Sequence, residues 1–175
     1  MNEIIKAMKE RRSVRKFKSE LPSKADLEQI VEAGIYAASG MGKQAAKILV
    51  VTNKELRDKL SEMNRKIGGW DEGFDPFYGA PAVLIVLAEK DCRTYVYDGS
   101  LVMGNLMLAA HSLGLGSIWI HRAKEEFESD EGKEILKSLG IEGELEGIAN
   151  CAIGYIDGEL PKPAPRKDGR VIWAE

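Results

Sequence analysis

LVMGNLMLAAHSLGLGSIWI, residues 101–120, sets the architecture. Leu101, Met103, Leu106, Met107, Leu108, Ala109 and Ala110 put apolar side chains on nearly every face of one helix, expected from about Asp91 to Leu113. A helix apolar all round lies centrally in a core or in a subunit interface. Gly114 and Gly116 stop it, and Ser117–Ile120 follows as a strand.

Working outward, Ile48–Val51 and Ala82–Leu87 are short apolar runs that predict buried strands, the second introduced by Ala80-Pro81; Ile148–Tyr155 is a further strand. Leu27, Ile30, Val31, Gly34, Ile35 and Ala38 mark one face of a helix. It begins at Leu21-Pro22-Ser23, where Ser23 caps and Asp26 answers it, and runs out at Ser39-Gly40-Met41-Gly42. Leu56, Leu60, Met63 and Ile67 are spaced for another helix, and Ile135, Leu136 and Leu139 for a short one. Ile4, Ile5 and Met8 give a short amphipathic helix, while Pro161, Pro163 and Pro165 make the tail extended. Strands separated by helices predict an α+β or α/β layer protein with one sheet. No GxGxxG follows the first strand and no GxxxxGK[ST] occurs, so neither a Rossmann nor a P-loop reading stands.

The 175 residues are 44 % hydrophobic and 30 % charged, the balance of a folded chain long enough for a real core. Cys92 and Cys151 stand far apart and in no CxxC pattern, against a disulfide framework or a zinc site. No N-terminal run resembles a signal peptide and no stretch approaches ~18 apolar residues, which predicts a cytoplasmic protein without membrane association. Net charge is −3, against general nucleic-acid binding. The charge is uneven: residues 1–18 carry +5 and the rest −8.

Much of that local excess is RRSVRKF, residues 11–17. Arg11, Arg12 and Arg15 with Ser13 between them have the chemistry to hold a phosphate monoester through paired, charge-assisted hydrogen bonds. The same charges suit a solvated helix C-terminus, where cations favour the dipole.

RRSVRKF, AASGMGKQ (37–44), FYGAPAVLIV (77–86), LAAHSLGLGSIWI (108–120), and AIGY (152–155) followed by PAPRK (163–167) occur in that order. Together they resemble the flavin-dependent nitroreductase family, in particular its short single-domain members. The resemblance implies an α+β fold over residues 1–175, with a mostly antiparallel central sheet flanked by helices. It also implies an intertwined homodimer with FMN in its interface and a tail, about 157–175, that reaches the partner. The implied reaction is ping-pong: NADH or NADPH reduces the flavin, and flavin N5 passes the hydride to a nitroaromatic, quinone or related small-molecule acceptor.

On this resemblance Arg11, Arg12, Ser13 and Arg15 grip the FMN phosphate and ribityl chain, and Arg166, assisted by Lys167, supplies the last phosphate cation. Ser39 and Gln44 match the family loop Ser-x-x-Asn-x-Gln-Pro-Trp, in which Gly42 replaces the asparagine and Ala45-Ala46 replace Pro-Trp. That loop touches flavin, often across the subunit boundary. Trp119, Ile120 and His121 fall in the segment beneath the ring, which acts through its backbone N–H groups. The glycine-rich stretch 68–79 is expected to be a flexible loop whose Trp70, Phe74, Phe77 and Tyr78 roof the acceptor site. Asn105 and His111 are expected to be structural, Cys151 small and buried. No protein residue is expected to be catalytic and no metal is expected. Reductive dehalogenation or flavin fragmentation on the same scaffold, and flavin storage without turnover, stay open.

Overall fold

The computed structural model describes residues 1–175. Four strands, β1 (Ala46–Val51), β2 (Ala82–Glu89), β3 (Leu115–Ile120) and β4 (Leu145–Tyr155), form one antiparallel sheet in the order β1-β2-β4-β3. Six helices surround it: α1 (Glu3–Glu10), α2 (Lys24–Ile35), α3 (Lys54–Gly68), α4 (Tyr95–Ser112), α5 (Ala123–Glu128) and α6 (Asp130–Ser138). The α+β expectation with an antiparallel sheet holds.

β2 is why the sheet is covered on both sides. Along Ala82–Glu89, Val83, Ile85 and Leu87 enter a core with Leu60, Met63 and Phe127 from α3 and α5. Ala82, Leu84 and Val86 enter a second core with Leu27, Ile30, Met103 and Leu106 from α2 and α4. A strand buried on both faces reads as an unbroken apolar run, because side chains alternate with period two. β1 departs from the expectation of a buried strand. It is an edge, so Ile48 and Leu49 are half-buried and Val50 is exposed.

Helix α4 is central on one side only. Val102, Met103, Leu106 and Ala110 are buried against the sheet, while Tyr97 and Leu101 face outward. It begins at Tyr95, later than the apolar pattern suggests, because residues 89–95 form turns closed by Cys92 N–H to Glu89 O (3.2 Å) and Tyr95 N–H to Cys92 O (3.0 Å). At Gly99 a Cβ would sit 2.6 Å from Ile148 Cγ1, so glycine is what lets α4 approach β4. Ser23 caps α2 as read, its Oγ accepting from Asp26 N–H at 3.0 Å, but the helix stops at Ile35 and Ala38 lies beyond it. A single short helix was expected after β3. Two are present, α5 ending and α6 beginning at Ser129, whose Oγ accepts from Gly132 N–H.

The segment after α1 is stitched to the far edge of the sheet. Ser13 pairs with Ser117 of β3, Phe17 pairs with Ile156, and Val14 and Phe17 are buried anchors. α1 itself buries no residue. Residues 158–175 are exposed and extended, with no hydrogen bond or ion pair to the body. No helix is long and apolar enough to cross a membrane.

Candidate functional site

The alternation that buries Val14 and Phe17 leaves Arg15 and Lys16 exposed and Arg11, Arg12 and Ser13 half-buried. Arg12 partly satisfies itself at the helix end, Nη1 donating to Lys9 O (2.6 Å) and Arg11 O (2.7 Å). Arg11 Nη1 and Arg12 Nε, however, are buried with no acceptor, and so is Ser117 Oγ on β3, whose residue pairs with Ser13. An unmet buried donor costs about 1–3 kcal/mol, more when charged. Two on the basic segment and one on the strand residue that pairs with it call for a polyvalent acceptor, and a phosphate dianion is acceptor-only. The residues present therefore fit the phosphate end of FMN.

Arg15 lies 5.9 Å from the Tyr78 ring. Tyr78 begins an aromatic ladder: Tyr78 to Phe74 at 6.0 Å edge-on, and Phe74 to Trp70 at 5.2 Å. At the far end Arg122 stands 4.3 Å over Trp70. The ladder thus links the basic segment to the end of β3. Phe77 is corrected out of it. Its ring is fully buried in the core under the Arg57 guanidinium, 5.4 Å away, and cannot roof a site.

The loop carrying the ladder is pinned, contrary to the flexible loop expected from its glycines. The Asp75 carboxylate accepts from Ser61 Oγ (2.6 Å), Phe77 N–H (2.9 Å), Gly79 N–H (2.7 Å) and the buried Arg57 guanidinium, whose Nε also holds Ala80 O at 2.9 Å. Burial pushes the Asp75 carboxyl up, but the Arg57 and Ser61 hydrogen bonds outweigh it and hold it below the usual range. Sequence reading missed both residues; an arginine and an aspartate 18 positions apart carry no local signature.

At the end of β3, Trp119 is half-buried, Ile120 buried and His121 exposed, with Trp119 Nε1–H donating to His121 Nδ1 at 3.3 Å. Behind them lies a fully buried carboxyl, Glu126. Its two oxygens accept from Asn64 Nδ2 (2.7 Å) and Asn150 Nδ2 (2.8 Å), and Asn64 Nδ2 also donates to His121 O (2.8 Å). Burial pushes the Glu126 carboxyl up to about 7 against the two amides. Set among Lys124, Glu125 and Glu128, Glu126 reads in the sequence as a solvated face.

Loop 39–44 is closed by Gln44 N–H to Ser39 Oγ (3.1 Å) and tied to α4 by Gly40 N–H to Asp98 Oδ1 (3.1 Å). Asp98, buried and also bonded to Thr94 Oγ1, was missed as well. Gly42 has φ +66°, a left-handed conformation that glycine and asparagine tolerate best, so its replacement of the family asparagine preserves the backbone. The loop meets α4 at Asp98, whereas Arg11 and Arg12 lie near His111 at the other end, whose pKa is lowered by burial first and by these two cations next, against Glu10. Thirteen residues of helix separate these points by ~20 Å. Within one chain, then, the loop and the basic segment lie at opposite ends of α4. Arg166 and Lys167 are exposed on the tail, Arg166 reaching only Ala164 O at 3.5 Å, and are not brought to Arg11–Arg15.

Asn105 makes the expected structural bond, Nδ2 to Ala33 O at 2.9 Å. Cys151 is fully buried, its thiol pushed up to about 12 by burial. His111 is half-buried in a cleft of about 660 Å³ between α1 and α4.

A nitroreductase from Bacteroides fragilis, solved with bound FMN, superposes with a TM-score of 0.90 at 30 % identity, covering all of both chains. A Bacillus subtilis relative, FMN reductase [NAD(P)H], is 28 % identical across 93 % of this chain and 70 % of its own. A Thermotoga neapolitana iodotyrosine deiodinase is 28 % identical across 88 % and 89 %. The chain spans 60 % of the length of a further relative, from Methanothermobacter thermautotrophicus. The nitroreductase family model matches residues 8–68 and 69–155. With that match over most of its length and the sheet order and helix placement already described, the chain belongs to the nitroreductase family.

Proposed function

We propose that this chain is an FMN-dependent NAD(P)H:acceptor oxidoreductase acting on flat aromatic acceptors of nitroaromatic or quinone type. The observation that carries the reading is the set of buried, unpartnered donors at Arg11, Arg12 and Ser117 beside Ser13. When bound, the flavin supplies the two-electron chemistry, and the protein binds, orients and tunes it. Arg11, Arg12 and Ser13 hold the phosphate end. Arg15, exposed and 5.9 Å from the Tyr78 ring, adds its cation to the same phosphate and ribityl end. The outer edge of β3, which bonds Val14 N–H at Ser117 O, offers backbone N–H groups at Trp119 and His121, and Trp70, Phe74 and Tyr78 offer the acceptor a stacking wall.

The ~20 Å between loop 39–44 and the basic segment supports a homodimer, in which Ser39, Gly42 and Gln44 serve the partner's flavin. Exposed Ile4, Ile5 and Met8 of α1, Tyr97 and Leu101 of α4, and Val171, Ile172 and Trp173 of the tail supply apolar surface for it. The tail would bring Arg166 and Lys167 to the partner's phosphate.

Purified protein carrying flavin absorption that NADH or NADPH bleaches anaerobically supports the reading and removes the storage alternative. Colourless protein that ignores added FMN rejects it. Halogenated phenols belong in the acceptor panel, since the Thermotoga relative is named a deiodinase. Light scattering at dimer mass checks the assembly.

A further inference from the structure

We infer that Glu126 is a positioning residue for the flavin: bridged by Asn64 and Asn150, it fixes the backbone at His121 that faces the ring. This rests on the flavin reading of the β3 end given above.

The geometry is specific. Asn64 reaches from α3 and spends one amide group on two acceptors, the Glu126 carboxyl and the His121 carbonyl. Asn150 reaches from β4 and meets only Glu126. The carboxyl therefore ties three elements to one carbonyl, that of His121. Arg122, the next residue, sits at φ +80°, a left-handed conformation that a long side chain adopts at a cost. The chain pays it where strand turns to helix, with Arg122 stacked on Trp70. The clamp holds that turn in register.

The arrangement is also sensitive to one proton. Asn64 Oδ1 and Asn150 Oδ1 are buried with no donor. While Glu126 is ionised both amides must turn their nitrogens to it and both oxygens stay unmet. A proton taken from solvent gives Glu126 a donor. Asn150 can turn over to accept it, because it has no other partner, whereas Asn64 cannot turn without setting its oxygen against the His121 carbonyl. The charged groups acting on Glu126 are on its own helix segment, Glu125 raising and Arg122 lowering its proton affinity. From α3 and β4 it faces neutral amides. α6 contributes Gly132 backbone; its Asp130 and Glu131 are exposed, Glu131 paired with Lys59. Glu146 of β4 is paired with Lys124.

The test compares the parent holoenzyme with Glu126→Gln, which keeps the shape and, with Asn150 turned over so that its Oδ1 accepts from the new amide nitrogen, both contacts, and with Glu126→Ala, which breaks the clamp. The potential of bound FMN is measured against pH, with FMN affinity and the side-chain amide NMR signals of Asn64 and Asn150 in the apoprotein. The parent is expected to show both amide signals titrating together and a change of slope in potential over the same range. Glu126→Gln is expected to lose both and to have a higher potential on the alkaline side, where a negative charge behind the reduced flavin has been removed. Glu126→Ala is expected to bind FMN about tenfold more weakly. A Glu126→Gln protein with parental potentials at every pH overturns the role of Glu126 alone. A parent that takes up no FMN overturns the flavin reading, and this inference with it.

Discussion

Replacing Asp75 by alanine removes the acceptor on which Arg57, Ser61, Phe77 N–H and Gly79 N–H all converge. Gly79 is exposed, so its N–H finds water. Arg57 cannot follow: it is only 8 % exposed and is held at Nε by Ala80 O. Breaking a fully buried pair from one side costs about 3–5 kcal/mol, and here the Asp75 side chain is 31 % exposed. The lower end applies, because Asp58 Oδ1 still lies 3.1 Å from Arg57 Nη1. In a chain of this size about 3 kcal/mol corresponds to a fall in Tm of roughly 6–12 °C. Asp75→Asn keeps one acceptor oxygen and should lose about half as much. Thermal unfolding of the apoprotein checks this, with the Arg57→Met/Asp75→Ala double variant as control. The double variant should lose less than the sum of the singles, because the stranded charge is gone. Because the Asp75 carboxyl is held low in the fold, the parent's margin over Asp75→Asn exists above the unfolded carboxyl's range and is lost as pH falls through the folded one. An Asp75→Ala Tm within about 2 °C of the parent refutes the pinned-loop argument.

Arg15→Ala should weaken FMN by roughly 10–100-fold, the worth of a hydrogen bond to a charged group, and leave apoprotein Tm nearly unchanged; equilibrium dialysis against FMN measures it. Gly42→Asn should be tolerated in thermal melts, whereas Gly42→Val should cost about 1–2 kcal/mol, because φ is +66° there although no atom crowds the added Cβ. Glu126 carries a folded pKa raised to about 7 from 4.5. The folded state holds that proton more tightly than the unfolded chain, so this contribution is full below the unfolded value and is lost as pH rises through the folded one. Urea melts across that window should show stability falling with pH in the parent and flat in Glu126→Gln.

Burial patterns in the sequence located all four strands, because AVLIVLA and its like have only one environment that suits them. Edge position was hidden: Ile48–Val51 is as apolar as a central strand, and its half-exposure comes from strand order, a long-range property. The helix start capped by Ser23 was legible. The α5–α6 break at Ser129 was not, because Glu126 looks solvated until Asn64 and Asn150 are seen around it. At the site, RRSVRKF stood out by charge density and Gly42 by its motif. Asp75, Asp98 and Glu126, which hold the surrounding loops, stayed invisible because each acts through partners distant in the chain. Phe77 was misplaced because aromatic content cannot tell a wall from a core.

The stitching of Ser13 to Ser117 and of Phe17 to Ile156 bears on the order in which this protein can be made. Residues 11–17 leave the ribosome early, yet their partners are among the late portions of the sheet to emerge. The cationic stretch must therefore wait, extended and solvated, until the β3 and β4 regions have been synthesised. Docking of the basic segment onto the sheet is then a closing event of biogenesis rather than a seed for it. A chain truncated before Ser117 would have its arginines but neither of the strand partners that set their register.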